Sequence, residues 1–129
     1  MSTFQNFTQI EAWQKARELT CKIYAVSKHG AFAKDFGLRG QIRDASVSAM
    51  SNIAEGFDRN GTAEFVQFLA IAKGSVAEVA SQLYVAKDQS YVTAAEFDQL
   101  MALATETGRK IGALMNYLRR SGIRGAKFR

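Results

Sequence analysis

The sequence contains little of the chemistry that most catalytic and extracellular proteins use. It has one cysteine, one histidine and no proline. A single cysteine, Cys21, excludes an intrachain disulfide and zinc sites built from two or four cysteines, and it is typical of a reducing compartment. No apolar run approaches the ~18 residues of a membrane span, and the first residues lack the basic and apolar segments of a signal peptide. We therefore expect a cytoplasmic protein, in which the absence of proline permits long helices.

Positive charge is concentrated at one end of the chain. The 17 lysine and arginine residues exceed the 12 aspartate and glutamate residues, for a formal net charge of +5. Residues 119–129 supply this excess, since they contain no acid and carry Arg119, Arg120, Arg124, Lys127 and Arg129. Residues 1–118 are therefore neutral as a whole. Apolar residues make up 47% of the sequence, too many for a disordered chain, so we expect a neutral folded body with a basic C-terminal tail.

Hydrophobic periodicity predicts four helices and no sustained strand. The predicted helices cover about residues 8–29, 36–58, 62–88 and 93–121. Long helices joined by short connections are typical of an antiparallel up-down bundle. The sequence shows no linker, repeat or low-complexity segment. We therefore predict an all-α four-helix bundle that forms a single domain over residues 1–129.

Two of the predicted helices begin with the spacing of a capping box, in which a threonine and a glutamate cap each other's backbone N–H groups. These pairs are Thr8 with Glu11 and Thr93 with Glu96. Residues 30–36 are expected to form a connection. The apolar stripe of the fourth helix follows a heptad pattern through Phe97, Leu100, Ala104, Thr107, Ile111, Leu114 and Leu118.

Most charged side chains have a structural explanation on a solvated helix surface. Glutamate precedes a basic residue by four positions, the favoured order on a helix, in Glu11–Lys15, Glu18–Lys22, Glu55–Arg59 and Glu106–Lys110. The second helix differs, because it carries a polar stripe of Gln41, Ser48, Asn52, Glu55 and Arg59. This stripe is either a solvent face or a hydrogen-bonded network between helices or subunits, for which such short polar side chains are better suited.

Glycines within predicted helices form a further pattern. Gly74 lies in the middle of the third helix, and Gly108 and Gly112 lie four positions apart in the fourth. An interior glycine costs up to about 1 kcal/mol relative to alanine. We expect close packing at these positions, within the bundle or between subunits, to offset that cost.

The residues with catalytic potential are too few for a recognisable active site. His29 falls at the end of the first predicted helix, where a cation suits the helix dipole. Cys21 has no neighbour that would clearly lower its pKa, so we expect a partly buried, inert thiol. The sequence has no phosphate-binding loop, no metal-ligand spacing and no nucleophile beside a base. We predict a protein without enzymatic activity, metal or cofactor.

Sequence motifs in three helices resemble the bacterial four-helix-bundle family named after the 23S rRNA intervening-sequence protein. The most specific match lies in residues 36–59 and comprises Gly37-Leu38, Gln41-Ile42-Arg43, Ser48 and Asn52-Ile53-Ala54-Glu55-Gly56. Further matches are Trp13-x-x-Ala16-x-x-Leu19, Glu64-Phe65-x-x-Phe68-Leu69-x-Ile71-Ala72-x-Gly74-Ser75 and Glu78.

The resemblance implies a left-handed antiparallel bundle that assembles into a homopentamer with a central channel. It implies no established enzymatic activity. Related accessory proteins of diversity-generating retroelements share the pentameric bundle and bind nucleic acid through basic surface. One position departs from the family pattern, because Asp44 follows Arg43 where members often have a second basic residue. This change lowers the positive charge of that surface.

Two hypotheses follow for the partners of the chain, apart from itself. In the first, the protein associates with RNA or DNA, because cations neutralise phosphates without reading sequence; the candidate residues are Arg43, Arg119, Arg120, Arg124, Lys127 and Arg129. In the second, it is a structural or adaptor oligomer with a protein partner, and the polar stripe and helix glycines serve assembly. Neither hypothesis involves a membrane.

Overall fold

The structure is a computed structural model that describes residues 4–59 and 61–121. Its elements are a 3-10 helix at Phe7–Gln9, α1 at Glu11–Ser27, α2 at Gly30–Lys34, α3 at Phe36–Asp58, α4 at Thr62–Asp88 and α5 at Ala94–Ser121. The prediction of an all-α fold is confirmed, since this part of the chain forms helices and no strand. The predicted ranges of the second and third helices agree closely with α3 and α4.

The beginning of α1 differs from the prediction. Thr8 does not cap this helix; its backbone N–H and hydroxyl both donate to the Asn6 side chain, which caps the 3-10 helix instead. α1 begins at Glu11, and Ile10 occupies the capping position without a side-chain hydrogen bond. Ile10 is 1% exposed. Burial of this apolar side chain fixes the entry of the chain into the bundle, and the predicted capping box of Thr8 and Glu11 is wrong.

The predicted connection at residues 30–36 contains the short helix α2. The chain leaves α1 after Ser27 and turns at Gly30, whose φ of +61° is accessible to glycine at little cost. Phe32 of α2 is fully buried and stacks on Tyr91, with ring centroids 5.2 Å apart. This aromatic contact holds α2 against the connection between α4 and α5, and it explains why the segment is ordered as a helix.

The predicted capping box at the start of α5 is confirmed. The Thr93 backbone N–H donates to Glu96 Oε1 at 2.8 Å, and the Glu96 N–H donates to Thr93 Oγ1 at 3.1 Å. The heptad stripe holds through most of α5 but drifts near its end. Leu114 is only half-buried there, and Met115 is buried instead. A helix with 3.6 residues per turn drifts against a repeat of seven.

The long helices run antiparallel in the order α1, α3, α4, α5 around the bundle. On the α3–α4 side, Gln41 pairs with Gln82 and Ser48 with Ser75, so rising numbers on α3 meet falling numbers on α4. Ion pairs between α1 and α5 show the same relation. The prediction of an antiparallel up-down bundle is therefore confirmed.

The apolar stripes of the long helices meet along the bundle axis and form one cluster. Its largest fully buried side chains include Leu19, Ile23, Ile42, Ile53, Phe65, Leu69, Leu83, Ile111 and Leu118. A membrane-crossing helix needs a long, nearly uncharged apolar segment. None of the helices formed by residues 4–59 and 61–121 meets that requirement.

Candidate functional site

The polar stripe on α3 forms hydrogen bonds along the contact between α3 and α4, which we call the α3–α4 seam. Ser48 Oγ lies 3.0 Å from Ser75 Oγ. Asn52 Nδ2 donates to the Ser48 carbonyl at 2.9 Å and to Ser48 Oγ at 3.1 Å. Farther along, Gln82 Nε2 lies 3.5 Å from Gln41 Oε1. The Ser48–Ser75 and Gln41–Gln82 contacts cross between the helices, whereas the Asn52 bonds lie within α3.

Glu55 and Arg59 belong to the same stripe but pair locally. Arg59 Nη2 lies 3.0 Å from Glu55 Oε2, and both side chains are exposed. The Arg59 guanidinium also lies over the Phe68 ring of α4, 5.0 Å from its centroid. These two residues, together with Phe7, Ser51, Ala54 and Asp58, line an open surface depression of about 730 Å³.

An open groove of about 290 Å³ follows the upper part of the α3–α4 seam, by which we mean the part nearest the beginning of α3 and the end of α4. We call it the acidic groove; it is lined by Gln41, Asp44, Ala45, Ser48, Glu78 and Gln82. Of the described residues that line it, only Asp44 and Glu78 are charged, and both are exposed. No lysine or arginine of the described residues lies within ion-pair distance of either carboxylate. The groove therefore presents two unneutralised acids between uncharged walls.

The outer face of α4 carries few charges for a helix on a protein surface. Between Glu64 and Lys87, its only charged residues are Lys73 and Glu78. Large apolar side chains are exposed there: Ile71 at 53%, Tyr84 at 52% and Val85 at 45%. Small residues fill much of the remaining face, namely Ala70, Gly74, Ala77 and Ser81. Helices that are apolar on all sides are usually covered on all sides.

The side of the bundle formed by α1 and α3 is basic. The Arg43 guanidinium lies over the Tyr24 ring, 4.4 Å from its centroid, and Arg43 Nε donates to Ser27 Oγ at 2.8 Å. Arg17 lies over Trp13 at 5.7 Å. We call the exposed and half-buried residues here the arginine–tyrosine surface: Arg17, Tyr24, Lys28, Arg43 and Val47. Among the described residues, none of its cations pairs with an acid.

The predicted nucleic-acid residues do not form one cluster in a single copy. Arg119 and Arg120 are exposed in the last turn of α5. Arg43 faces α1 from the first half of α3, and α3 and α5 are not neighbours in the bundle. The remaining candidates, Arg124, Lys127 and Arg129, lie outside the described residues.

The predicted close packing at glycines takes a different form in the structure. A Cβ added at Gly74 would meet nothing within 4 Å, and one at Gly108 or Gly112 would make ordinary contacts with α4 at 3.8 and 3.6 Å. The tight position is Gly56, where an added Cβ would lie 2.6 Å from Phe68 Cβ. Gly56 belongs to the Asn52–Gly56 motif, but Gly74 also lies within a matching motif, so the sequence does not distinguish the two positions. Close packing at Gly74 requires another molecule.

The residues considered for chemistry are not gathered into a site. Cys21 is exposed, not partly buried as predicted, because it points away from the apolar stripe of α1. His29 precedes α2 and is exposed. No group of three or more potential metal ligands occurs within residues 4–59 and 61–121.

One polar contact closes the upper end of the α3–α4 seam and has a clear electrostatic effect. Asp35 caps α3 by accepting the Leu38 N–H at 3.0 Å, and the Tyr91 hydroxyl donates to its other carboxylate oxygen at 2.8 Å. The Leu38 N–H and then the Tyr91 hydroxyl lower the pKa of Asp35. The same hydrogen bond raises the pKa of Tyr91. These bonds hold the two connections at this end together.

Comparisons with known proteins bear on the fold and the family. The sequence model described as 23S rRNA-intervening sequence protein matches residues 8–113. A crystal structure from Bacteroides thetaiotaomicron, described as a protein with unknown function from the S23 ribosomal protein family, is similar with a TM-score of 0.75 and 21% identity. The alignment covers 81% of this chain and 95% of that chain. Neither description names an enzymatic activity, and no curated protein matches the chain significantly.

Proposed function

The chain belongs to the 23S rRNA-intervening sequence protein family, and from that premise we propose that it acts as a non-enzymatic homo-oligomer, a pentamer, that associates with nucleic acid in the cytoplasm. The main support for the proposed assembly is the exposure of apolar side chains on the outer face of α4. The nucleic-acid association is supported by the basic C-terminal region, and it is the more specific part of the proposal.

The α4 face supports assembly because its exposure is unusual for a monomer. Ile71, Tyr84 and Val85 leave large apolar areas in water, and extended apolar exposure marks interaction sites. Exposed alanines lie beside and between them on the same helix, namely Ala70 and Ala77. Gly74 provides an open backbone position in the middle of the same face. A glycine there weakens the helix in the isolated chain. Close approach of another molecule at Gly74 would offset this cost.

Light scattering behind size exclusion tests the assembly. The chain has a mass of 14.2 kDa, and we expect a particle about five times heavier. Gly74→Leu places a large side chain on the α4 face and is expected to reduce the mass by overpacking an interface. Ala102→Leu is the matched control, because Ala102 is exposed on α5. A wild-type particle of monomer mass contradicts the proposed assembly.

The C-terminal region supports nucleic-acid binding through charge. Arg119 and Arg120 continue into a segment with three further cations and no acid, and they make no ion pair with any described residue. Assembly brings several such segments onto one particle. Contact with phosphates gives affinity without sequence preference and is weakened by salt, because bound counterions are released.

A salt series of mobility shifts tests this association. The probes are single-stranded and structured RNA and DNA, with intact protein and with a variant that lacks residues 119–129. If about four phosphates are neutralised per single strand, log K falls by about 3 for each tenfold increase in salt. We expect the truncated variant to lose most of the affinity and most of the slope. Binding that ignores salt, or survives truncation unchanged, contradicts the proposal.

The second candidate is an adaptor oligomer that binds a protein and no nucleic acid. Two observations favour it: residues 1–118 are neutral as a whole, and Asp44 follows Arg43. In that case the assembly remains and the mobility shifts are negative at every salt concentration. The two experiments together therefore distinguish the candidates.

A further inference from the structure

We propose that the acidic groove of one copy receives the arginine–tyrosine surface of the next copy, so that one contact repeats around a closed ring. The inference rests on the proposed homo-oligomer and adds to it the two surfaces that meet. The partner is a second copy of this chain.

The acidic groove has the composition of an interface that lacks its partner. Ile71, Ser75, Glu78, Gln82 and Val85 follow one another on α4 at steps of four and three, so they lie along one side of the helix. Exposed apolar side chains therefore stand at both ends of this row, and Glu78 lies between them with Asp44 opposite on α3. Neither acid has a cation partner among the described residues. A partner that fits must supply apolar contact and positive charge together.

The arginine–tyrosine surface supplies both. Tyr24 and Val47 are each 38% exposed, and Arg43 lies over the Tyr24 ring. Ser27 accepts from Arg43 Nε at 2.8 Å, which leaves the two terminal nitrogens without an acid partner in the described structure. An arginine already held in place loses less side-chain freedom when it binds a carboxylate. Arg17 and Lys28 add positive charge on either side of it.

Charge also decides against pairing a groove with itself. In a two-fold contact each surface meets a copy of the same surface. Asp44 and Glu78 would then face Asp44 and Glu78, and like charges across an interface are unfavourable. Two arginine–tyrosine surfaces would repel for the same reason. Only the contact between unlike surfaces brings opposite charges together.

The positions of the two surfaces favour a ring. They lie on adjacent sides of the bundle and share α3 as their common edge. Adjacent sides of a four-helix bundle face roughly at right angles, so each head-to-tail contact turns the next copy by a large angle. Such contacts close after about four or five copies instead of continuing as a filament. In this arrangement α3 faces the centre of the ring.

Charge reversal with mixing tests the pairing. Glu78→Arg damages only the acidic groove, and Arg43→Glu damages only the arginine–tyrosine surface. We expect each variant to run largely as a monomer in light scattering. An equimolar mixture is expected to recover particles of at least twice the monomer mass, because each variant retains the surface that the other needs. Arg109→Glu is the matched control on the exposed face of α5, and it is expected to leave the wild-type mass unchanged.

The outcomes separate this inference from the proposed function. A monomeric wild type overturns both. A wild-type oligomer whose mass survives both reversals overturns the pairing alone and leaves the assembly in place. Loss of mass in both variants without recovery on mixing also overturns the pairing. Circular dichroism monitors the helix content, and if Arg43→Glu does not fold, Lys28→Glu replaces it in the same mixing experiment.

Discussion

The contact between α1 and α5, which we call the α1–α5 seam, differs from the α3–α4 seam in the side chains that line its solvent-exposed border. Along the α1–α5 seam, Lys15 lies 3.5 Å from Glu106 and Lys110 lies 3.1 Å from Glu11. Along the α3–α4 seam, the bonds between helices join serines and glutamines instead. The α1–α5 seam is bordered by ion pairs that are partly exposed to solvent. The α3–α4 seam is joined across the helices by uncharged side chains, and the two acids of its acidic groove have no cation partner among the described residues.

This difference indicates which side of the bundle stays in solvent. Exposed ion pairs contribute little to stability, but they keep a surface hydrated. The Ser48–Ser75 hydroxyl pair and the Asn52 amide lose little when water is excluded, because their bonds are made inside the protein. The acids of the acidic groove, Asp44 and Glu78, have no cation partner among the described residues. The α3–α4 seam is therefore the side that a partner with matching cations can cover, and the α1–α5 seam, whose charges are already paired, is the side that faces solvent.

The largest effect is expected from closing the tightest point of the α3–α4 seam. In Gly56→Ala, the new Cβ would lie 2.6 Å from Phe68 Cβ and 2.9 Å from Phe65 Cδ1. We expect a loss of about 1–3 kcal/mol in the free energy of unfolding, measured by urea denaturation at fixed protein concentration. Gly40→Ala is the control, because Gly40 lies on the same helix and an added Cβ there would meet nothing within 4 Å. A Gly56→Ala midpoint equal to that of the control would contradict tight packing.

A smaller effect is expected from the serine pair in the middle of the same seam. Ser75 is 6% exposed and bonds Ser48 across the helices. Ser75→Ala is expected to cost about 1 kcal/mol, because Ser48 then keeps only its bond from Asn52. The double variant Ser48→Ala/Ser75→Ala should cost less than the sum of the single variants in a double-mutant cycle. Strict additivity would show that the two hydroxyls do not interact.

Acid is expected to weaken the upper end of the α3–α4 seam. The pKa of Asp35 is lowered in the folded protein, so its stabilising effect is present above the unfolded pKa and is lost as the pH falls through the folded pKa. Tyr91→Phe removes one donor to Asp35 while its ring can still stack on Phe32. The variant should melt below the wild type near neutral pH, and the gap should narrow in acid. Tyr84→Phe is the control. If the difference in melting temperature between Tyr91→Phe and the wild type does not change with pH, Asp35 does not act as proposed.

The smallest effect is expected from the ion pairs of the α1–α5 seam. Glu106, and after it Glu18, raises the pKa of Lys15. The contribution of a lysine with a raised pKa is present below its unfolded pKa and is lost as the pH rises through the folded pKa. Glu106→Gln should therefore lower the melting temperature slightly at neutral pH, and about 1 M salt should remove the difference. If Glu106→Gln lowers the melting temperature more than Ser75→Ala does, the α1–α5 ion pairs contribute more to stability than the α3–α4 hydrogen bond, contrary to expectation.

The sequence predicts the fold well because helical periodicity dominates it. The ranges of α3 and α4 and the family resemblance are confirmed. Thr8 and Thr93 show the limit, since both have capping-box spacing and only Thr93 forms the box. The burial of Ile10 depends on tertiary packing, which local spacing does not contain. Tertiary packing also explains α2, because burial of Phe32 stabilises a helix where the sequence predicts a connection.

The candidate site is less predictable than the fold. The α3 stripe predicts a network between helices or subunits, and two of its residues, Gln41 and Ser48, form hydrogen bonds with α4. On α1 and α5, the ion pairs predicted within each helix do not form in the described part of the chain: Lys15 contacts Glu106 and Glu18, and Lys110 contacts Glu11. The spacing of glycines does not reveal what each one faces, so Gly56 and Gly74 look alike in the sequence. The partners of an outward side chain depend on which helix is its neighbour.

The short connection between α3 and α4 has a consequence for how the protein folds. α3 ends at Asp58 and α4 begins at Thr62, so among the long helices this pair has the shortest connection and loses the least chain entropy on docking. Glu11 and Lys110, by contrast, are 99 positions apart in sequence. We therefore expect the α3–α4 hairpin to form the folding nucleus, with high φ-values at Ile53 and Leu69, and α1 to dock on α5 after the rate-limiting step.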